Sequence, residues 1–358
     1  LRILDTWAQN SKLREEAMLI TANKVVCGDS YQTLKQLHLD SVDLIYIDPP
    51  FFTNRVFEIE KKSGKTISFD DTWSNDIGSY LNYMKKTFIE CKRVLKNTGS
   101  IYVHCDWHAS HYLKITMDEI FGYQNFQNEI VWRRHNSHND TKQGSKHLGR
   151  VHDTILFYSK SKDCTWNPIY QPYPDDYVKK FYRHIEPETG RRYAHGDLSG
   201  PGGHSKGNPR YEFLGVTRYW RFSKTNMKKL YDEGKIIQTK PGNVPVMKRY
   251  LDDMPGLMLQ DVWDDVKSVQ VTKTESCDYP TQKPLRLLER IIELSSNPND
   301  VVLDPMCGSG TTLEAAKRLN RKYIGIDKNS DAVKITHKRL QKLNCKRPKT
   351  EKPITVSK

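Results

Sequence analysis

Short apolar runs alternate with amphipathic stretches in the first third of the chain, and this pattern predicts alternating strands and helices. The runs typical of buried strands are residues 25–27, 44–47, 100–104 and 129–133. Apolar residues recur at helical spacing in residues 31–37, 77–95 and 109–121. Such alternation is typical of an α/β fold, a doubly wound, mostly parallel sheet with helices on both faces.

Three details of local structure are also predicted in this region. Ser30 is expected to cap the first helix at its amino end. Residues 96–99 read as a helix C-cap and turn, because they end in glycine. Residues 53–75 are too polar for a core and are predicted to form a surface loop.

The alternation stops in the middle of the chain and returns near its end. Residues 135–276 are rich in Gly, Pro, Tyr, Lys, Arg and His, with one further strand predicted at His152–Ser159 and a short helix at 226–231. The last part predicts helices at Leu285–Ser295, 313–319 and 330–343, and strands at 301–303 and 322–326. The predicted division is therefore 1–134, 135–276 and 277–345, followed by a basic, disordered tail at 346–358.

Charge narrows the class of partner. The 358 residues carry a formal net charge of +14, which favours a polyanion such as nucleic acid. In residues 135–276, basic side chains interleaved with aromatic residues suit phosphates and base edges, although a solvated insertion with incidental charge gives the same pattern. No run approaches the roughly 20 apolar residues of a membrane span.

The cysteines and the first residues indicate the compartment. The seven cysteines are scattered without a C-x-x-C pair, which argues against zinc ribbons and disulfide frameworks. The first five residues lack the apolar stretch of a signal peptide. We therefore expect a cytoplasmic protein.

The first candidate for chemistry is the segment Asp48-Pro49-Pro50-Phe51, directly after the strand at 44–47. The prolines cannot donate to a sheet ladder, so the strand must end there. Ligands of open α/β sheets bind just beyond the carboxyl ends of strands, where this carboxylate and aromatic ring would lie. The simpler alternative is a turn whose aspartate caps the next helix.

The second candidate is the strand–glycine turn–helix junction at 304–312. A backbone with glycines can approach a nucleotide-like ligand closely, and Asp327 ends the next strand, where a carboxylate accepts hydrogen bonds from ribose hydroxyls. The segment lacks the G-K-[ST] of a P-loop, which leaves a dinucleotide or S-adenosylmethionine. Asp304 would repel a pyrophosphate and would suit a cationic amino group or sulfonium.

Three segments in fixed order carry a family resemblance. Asp48-Pro49-Pro50-Phe51, Thr281-Gln282-Lys283-Pro284 and residues 304–312 occur in the order of the β-class DNA amino-methyltransferases, which this chain resembles over nearly its whole length. The resemblance implies a Rossmann-like fold dependent on S-adenosylmethionine, with residues 135–276 as the target-recognition region. One departure is minor: relatives often have Phe or Gly where this chain has Met306 and Cys307.

The resemblance also assigns residues. The implied catalytic residues are Asp48, Pro49, Pro50 and Phe51. The implied cofactor-binding residues are Asp29, Asp48, Thr281, Gln282, Lys283, Pro284, Asp304, Pro305, Met306, Cys307, Gly308, Gly310, Thr311, Thr312 and Asp327. No metal is implied, and His104, His108 and His111 are interpreted as structural or phosphate-facing.

The activity implied is methyl transfer from S-adenosylmethionine to the exocyclic N6 amine of an adenine flipped out of duplex DNA. Asp48 at the start of the motif favours adenine, since the cytosine N4 enzymes usually begin it with serine. Cytosine N4, an RNA or protein-glutamine substrate, and a catalytically silent DNA-binding module remain alternatives. The implied partners are double-stranded DNA, with a homodimer and a separate restriction endonuclease left open.

Overall fold

The computed structural model describes residues 20–53, 56–60, 66–70, 76–136, 144, 146–269, 275, 279 and 281–345. The tail at 346–358 lies outside the described residues, so its disorder stays a prediction. The chain divides into two compact units, residues 1–168 with 260–358, and residues 169–259. The second unit falls within the segment 135–276 that the sequence sets apart.

The strands are β1 (Lys24–Cys27), β2 (Val42–Ile47), β3 (Val56–Glu60), β4 (Thr66–Asp70), β5 (Leu95–Cys105), β6 (Phe126–Arg133), β7 (His152–Ser159), β8 (Tyr170–Gln171), β9 (His184–Ile185), β10 (Arg192–Asp197), β11 (Arg210–Phe213), β12 (Val216–Tyr219), β13 (Ile236–Ile237), β14 (Val246–Tyr250), β15 (Leu257–Met258), β16 (Val262–Trp263), β17 (Val301–Asp304) and β18 (Lys322–Asp327). The helices are α1 (Ser30–Leu34), α2 (Ile77–Val94), α3 (Ser110–Phe121), α4 (Asp175–Phe181), α5 (Lys224–Asp232), α6 (Leu285–Ser295), α7 (Thr311–Arg318) and α8 (Ser330–Cys345).

An eight-stranded sheet forms the centre of the first unit, in the order β1-β18-β17-β2-β5-β7-β6-β16. The strands from β1 to β5 in this order are parallel to their neighbours, β7 is antiparallel to both β5 and β6, and β16 is parallel to β6. All six residues of β2 are buried, as expected for a central strand covered on both faces. The predicted doubly wound, mostly parallel fold is confirmed.

Helices cover the two faces of this sheet. On one face α1, α2 and α3 pack together, and Met84 and Leu113 belong to the same buried apolar cluster as Ile45 and Ile47. Since side chains alternate along a strand, Tyr46 faces the opposite side, where α6, α7 and α8 pack. The apolar side chains on both faces of the sheet are thereby removed from water.

Most predicted elements are confirmed within a few residues. The helix Leu285–Ser295 and the strand His152–Ser159 have the predicted bounds, and His152–Ser159 lies inside the main sheet. The short helix predicted at 226–231 is part of α5.

Two local predictions are wrong. Residues 96–99 are not a C-cap but part of β5, since the backbone is already extended at Leu95 and Gly99 lacks the positive φ that such a cap requires. Asp29, not Ser30, caps α1, because its carboxylate accepts a hydrogen bond from the Gln32 amide at 3.0 Å. The Ser30 hydroxyl instead donates to the carbonyl of Pro305 at 2.6 Å.

The prediction of a surface loop at 53–75 is corrected in part. Within it, β3 and β4 form an antiparallel hairpin whose pairing runs from Val56 with Asp70 to Glu60 with Thr66. Polar and apolar residues alternate in the sequence from Phe57 to Glu60 and from Thr66 to Asp70, a pattern typical of strands. The high polarity of the segment hid this alternation.

The second unit has its own sheet and core. β13, β14, β10 and β9 form an antiparallel sheet in that order, beside the hairpin β11–β12 and the pair β8–β15. A small core contains the buried side chains of Leu198, Trp220, Met227 and Ile236. Its short strands explain why the sequence shows few clean periods here.

Among the described residues, no helix combines the length and apolarity that crossing a bilayer requires.

Candidate active site

A cavity of about 560 Å³ opens where four parallel strands end at the same edge of the sheet. Asp29 follows β1, Asp48 follows β2, Asp304 ends β17 and Asp327 ends β18, so all four carboxylates reach this edge. The predicted site residues on its wall are Asp29, Asp48, Pro49, Pro50, Phe51, Thr281, Gln282, Lys283, Asp304, Met306, Cys307, Gly308, Thr311, Thr312 and Asp327. The structure thus brings together residues separated by up to 298 positions.

Three other predicted residues lie beside the wall rather than on it. Pro284 precedes the first turn of α6, Gly310 precedes α7 with φ +77°, and the Pro305 carbonyl is held by Ser30. A side chain at Gly310 would lie 2.5 Å from Thr336 Cγ2, so this turn requires glycine. These residues shape the loops that carry the wall.

The Asp48 carboxylate has one oxygen paired and one unpaired. Oδ2 lies 2.5 Å from Lys283 Nζ, on a segment 235 residues further along the chain. Oδ1 is buried and has no hydrogen-bond partner among the described residues. An unsatisfied buried acceptor costs about 1–3 kcal/mol. This oxygen is therefore the acceptor in the cavity best suited to receive an N–H group.

Phe51 contacts a histidine ring and a lysine cation. Its ring stacks on His104 with a centroid distance of 5.9 Å and an interplanar angle of 23°. Lys283 Nζ lies 5.1 Å from the Phe51 centroid, so the same ammonium contacts both the ring and Asp48. These two contacts fix the ring beside the unpaired oxygen.

A buried chain of polar side chains supports this ring. The Tyr46 hydroxyl lies 2.7 Å from His104 Nδ1, and His104 Nε2 lies 3.2 Å from Asp153 Oδ2. Arg134 Nε is 3.0 Å from Asp153 Oδ1, an ion pair without hydrogen-bond geometry. Burial opposes ionisation of Asp153, but its hydrogen bond with His104 and the charges of Arg134 and Lys283 hold the pKa of its carboxyl below the ordinary value.

The sequence alone did not indicate the row of buried polar side chains formed by Tyr46, His104 and Asp153. Tyr46 lines the cavity, and it could have been found because it precedes Asp48 by two residues and so shares its face of β2. His104 was assigned a structural or phosphate-facing position, and it lies fully buried under Phe51. Burial raises the pKa of Tyr46 well above its ordinary value, with further contributions from Asp48 and Asp304, so the phenol keeps its proton.

The Asp304 carboxylate is satisfied on both oxygens. Oδ2 accepts the Thr312 hydroxyl at 2.6 Å and Oδ1 accepts the Met306 amide at 3.1 Å. Its side chain is almost fully buried, and this burial raises the pKa of the carboxyl to about 7. A cation in the cavity would favour the ionised form.

Asp327 and Asp29 hold the backbone around the cavity. Asp327 accepts the amides of Gly308 and Asn329, each at 2.8 Å, and burial raises the pKa of this carboxyl. Asp29 accepts the Tyr83 hydroxyl at 2.9 Å in addition to capping α1. Asp29 therefore caps α1 and also lies on the cavity wall.

The cysteine and the remaining histidines have limited chemistry. Burial raises the pKa of the Cys307 thiol well above its ordinary value, so it is protonated and a poor nucleophile. His108 pairs with Asp106 at 2.8 Å. No cluster of three or more His, Cys, Asp or Glu side chains in the described parts of the chain is placed to hold a metal ion.

Comparison with known proteins identifies a family. The sequence model of a family described as DNA methylase matches residues 42–338. The type II methyltransferase M.EcaI of Enterobacter cloacae is 32% identical over 337 residues, covering 92% of this chain and 72% of that protein. The DNA adenine methyltransferase YhdJ of Escherichia coli strain K12 is 28% identical over 320 residues, covering 89% of this chain and 83% of that protein.

A solved structure supports the fold. The PvuII DNA methyltransferase, a cytosine-N4-specific enzyme by its description, superposes with a TM-score of 0.50 at 14% identity, covering 89% of this chain and 86% of that one. At this identity the likeness concerns the fold alone.

Proposed function

This chain belongs to the DNA methylase family of N6/N4 amino-methyltransferases, and from this premise we propose that it methylates the N6 amine of adenine in duplex DNA, with S-adenosylmethionine as donor. The observation that carries the proposal is Asp48 on the cavity wall, whose buried Oδ1 has no hydrogen-bond partner in the described part of the chain. Adenine is favoured because the motif begins with aspartate and because one relative is named a DNA adenine methyltransferase.

The residues on the wall fit the proposed donor. A cavity of about 560 Å³ lies within the usual range for small-molecule sites, roughly 300–1,000 Å³. Asp327 is suited to ribose hydroxyls and Asp29 to the adenine end, while Asp304 and the segment 281–284 would hold the methionine end. The raised pKa of Asp304 fits a cationic ligand, because a positive charge would offset the cost of its burial. Bound there, S-adenosylmethionine supplies an electrophilic methyl group on a positively charged sulfur.

The Asp48 loop would activate the amine. An exocyclic amine is a poor nucleophile because its lone pair is delocalised into the ring. Asp48 Oδ1 and the Pro49 carbonyl would accept its two N–H groups and favour a pyramidal nitrogen with an available lone pair. Lys283 holds Asp48 Oδ2, and the prolines restrict the backbone, so the acceptors are fixed before the base arrives.

Phe51 would hold the base. The target atom cannot be reached inside a duplex, so the nucleotide has to be extruded, at a cost of a few kcal/mol. Stacking on an aromatic ring contributes about 1–3 kcal/mol per base and offsets part of this cost. His104 and Lys283 keep the Phe51 ring in place for this contact.

Residues 135–276 are proposed as the region that contacts and reads DNA. The formal net charge of +14 favours phosphate contacts. The second unit adds exposed basic side chains, among them Arg192, Arg210, Arg218 and Arg249, on short strands. Because M.EcaI is named a type II methyltransferase, we further propose that a matching endonuclease would be a separate chain.

Identification of the modified base tests the proposal. The chain is expressed in a host that lacks adenine methylation, and its DNA is analysed by nucleoside mass spectrometry and by sequencing of modified bases. We expect N6-methyladenine at one short sequence. N4-methylcytosine would contradict the choice of base, and the absence of any methyl transfer from labelled donor to DNA would overturn the proposal.

A further inference from the structure

Tyr46 occupies a position in the cavity that no motif assigns. It is 1% exposed and lies on the cavity wall. It precedes Asp48 by two residues on β2 and therefore lies on the same face. On the neighbouring strand Leu303 pairs with Ile45, so Asp304 follows beside Tyr46. Tyr46 thus lies beside two of the four carboxylates of the site, Asp48 and Asp304.

His104 and Asp153 determine the direction of the Tyr46 hydroxyl hydrogen. The Asp153 carboxylate can only accept, so His104 Nε2, at 3.2 Å, carries the hydrogen of that bond. With His104 as the neutral imidazole, its other nitrogen, Nδ1, is the acceptor, and it lies 2.7 Å from the Tyr46 oxygen. In this tautomer the Tyr46 hydroxyl donates its hydrogen to His104, which is not among the described residues of the cavity wall, and the Tyr46 oxygen keeps its lone pairs for the site.

A neighbouring tyrosine, Tyr102, shows that a buried tyrosine hydroxyl in this sheet can be satisfied without a histidine–aspartate pair. Tyr102 on β5 is also fully buried, and its hydroxyl is paired with the Ser295 hydroxyl at 2.7 Å. Tyr102 is absent from the cavity wall among the described residues, and its partner carries no charge. Of these two tyrosines, Tyr46 is the one on the cavity wall, beside Asp48 and Asp304.

We propose that Tyr46 is a further active-site residue, whose oxygen, oriented by the positioning residues His104 and Asp153, stabilises positive charge between Asp48 and Asp304. This inference rests on the proposed methyl transfer. There, the nitrogen lone pair of the base forms the N–C bond and the C–S bonding pair stays on sulfur, so positive charge moves from sulfur to nitrogen. The nitrogen then gives its extra proton to the Asp48 carboxylate and on to water, while Tyr46 keeps its own. An acceptor that is already oriented needs no rearrangement when this charge moves.

The central experiment compares Tyr46→Phe with Tyr102→Phe, since each removes one buried hydroxyl from the same sheet. For Tyr46→Phe we expect the single-turnover rate of methyl transfer to DNA to fall about 10- to 100-fold, the range of a hydrogen-bonding group that acts in the transition state. The dissociation constant of S-adenosylmethionine, measured by calorimetry, should change less than about threefold. The two variants should lower the thermal unfolding midpoint by similar amounts, because each loses one buried hydroxyl. Tyr102→Phe should leave the rate of methyl transfer unchanged.

Two substitutions of His104 test the orientation. In His104→Asn the amide oxygen can replace Nδ1 as the acceptor for Tyr46, whereas His104→Leu removes every acceptor. We expect His104→Leu to lose at least as much rate as Tyr46→Phe, and His104→Asn to regain most of it. In the Tyr46→Phe background, the Asn and Leu variants should have equal rates, because no hydroxyl remains to be oriented.

Several results would overturn the inference. A wild-type rate for Tyr46→Phe, or equal rate losses for Tyr46→Phe and Tyr102→Phe, would show that the hydroxyl is only structural. A loss of cofactor affinity as large as the loss of rate would place its effect in ground-state binding. If the wild-type chain transferred no methyl group to DNA, the proposed function itself would fall and this inference with it, whereas an active wild type with an active Tyr46→Phe variant would refute Tyr46 alone.

Discussion

Asp48 and Asp304 end neighbouring strands and line the same cavity, yet their carboxylates are held in different ways. Asp48 has a lysine on one oxygen and an unpaired second oxygen. Asp304 has both oxygens occupied by groups of its own loop, and its burial raises the pKa of the carboxyl to about 7. The first is arranged to accept a new hydrogen bond, and the second to respond to a nearby charge. Equal residue types at equivalent strand ends can thus have separate tasks.

Removal of the Asp48 carboxylate is the strongest test of this difference. Asp48→Ala removes the unpaired acceptor, and we expect methyl transfer to fall about 10³-fold or more, because the amine then lacks its main partner in the transition state. Cofactor binding, measured by calorimetry, should be largely retained. Near-wild-type methylation of DNA by Asp48→Ala would show that Asp48 is not catalytic.

Substitutions of Phe51 test how the target base, whose amine would donate to Asp48, is held by stacking. Phe51→Ala should lower the rate about 5- to 150-fold through lost stacking, whereas Phe51→Tyr and Phe51→Trp should retain activity because they keep an aromatic face. The measurement is kcat/KM with an oligonucleotide substrate. Equal activity of the Ala and Tyr variants would mean that stacking contributes nothing.

The parts of this site that the sequence predicts are those encoded by neighbouring residues. The Asp48-Pro49-Pro50-Phe51 segment and the glycine turn at 304–312 can be recognised because each combines a strand end with local chemistry. The pairing of Lys283 with Asp48 spans 235 residues and depends on the register of the folded sheet, so spacing alone could not show it. The burial of His104 and the raised pKa of Asp304 likewise arise only when helices cover both faces of the sheet.

The fold was predictable to a similar degree. The alternation of apolar runs and amphipathic stretches predicts the parallel sheet, because burial on both faces demands continuous apolar strands. It does not predict that β7 inserts antiparallel between β5 and β6, a pairing set by tertiary contacts. In the second unit, strands of two to six residues are too short for periodicity to register.

The dependence of cofactor affinity on pH tests whether the Asp304 carboxyl responds to the charge of a bound ligand. A cationic ligand favours the ionised carboxylate, so binding should weaken as the pH falls below about 7, by roughly tenfold between pH 8 and pH 6. Calorimetry at the two pH values in buffers of different ionisation heat should also reveal proton release on binding at pH 6. In Asp304→Asn both effects should disappear, since no proton remains to be displaced at this position. Unchanged pH dependence in that variant would assign the titration to another group.

The Asp304 carboxyl also predicts a smaller effect of pH on the stability of the ligand-free protein. This effect has the opposite sign to that of an acid in a surface ion pair, because the protonated form of Asp304 is the one that favours folding. The pKa of Asp304 is raised in the folded state, from 3.8 to about 7, so its protonated form favours folding. This contribution is complete below pH 3.8 and is lost as the pH rises through 7. Between pH 6 and pH 8 the free energy of unfolding should fall by about 1 kcal/mol from this group.

Asp304→Asn offers the matched control, because its amide oxygen can still accept from Met306 while its NH₂ group donates to the Thr312 hydroxyl. Urea unfolding at the two pH values should therefore show a drop in the wild type that is about 1 kcal/mol larger than in the variant. Equal drops would mean that Asp304 is already ionised in the ligand-free protein, so that its charge does not depend on a bound ligand.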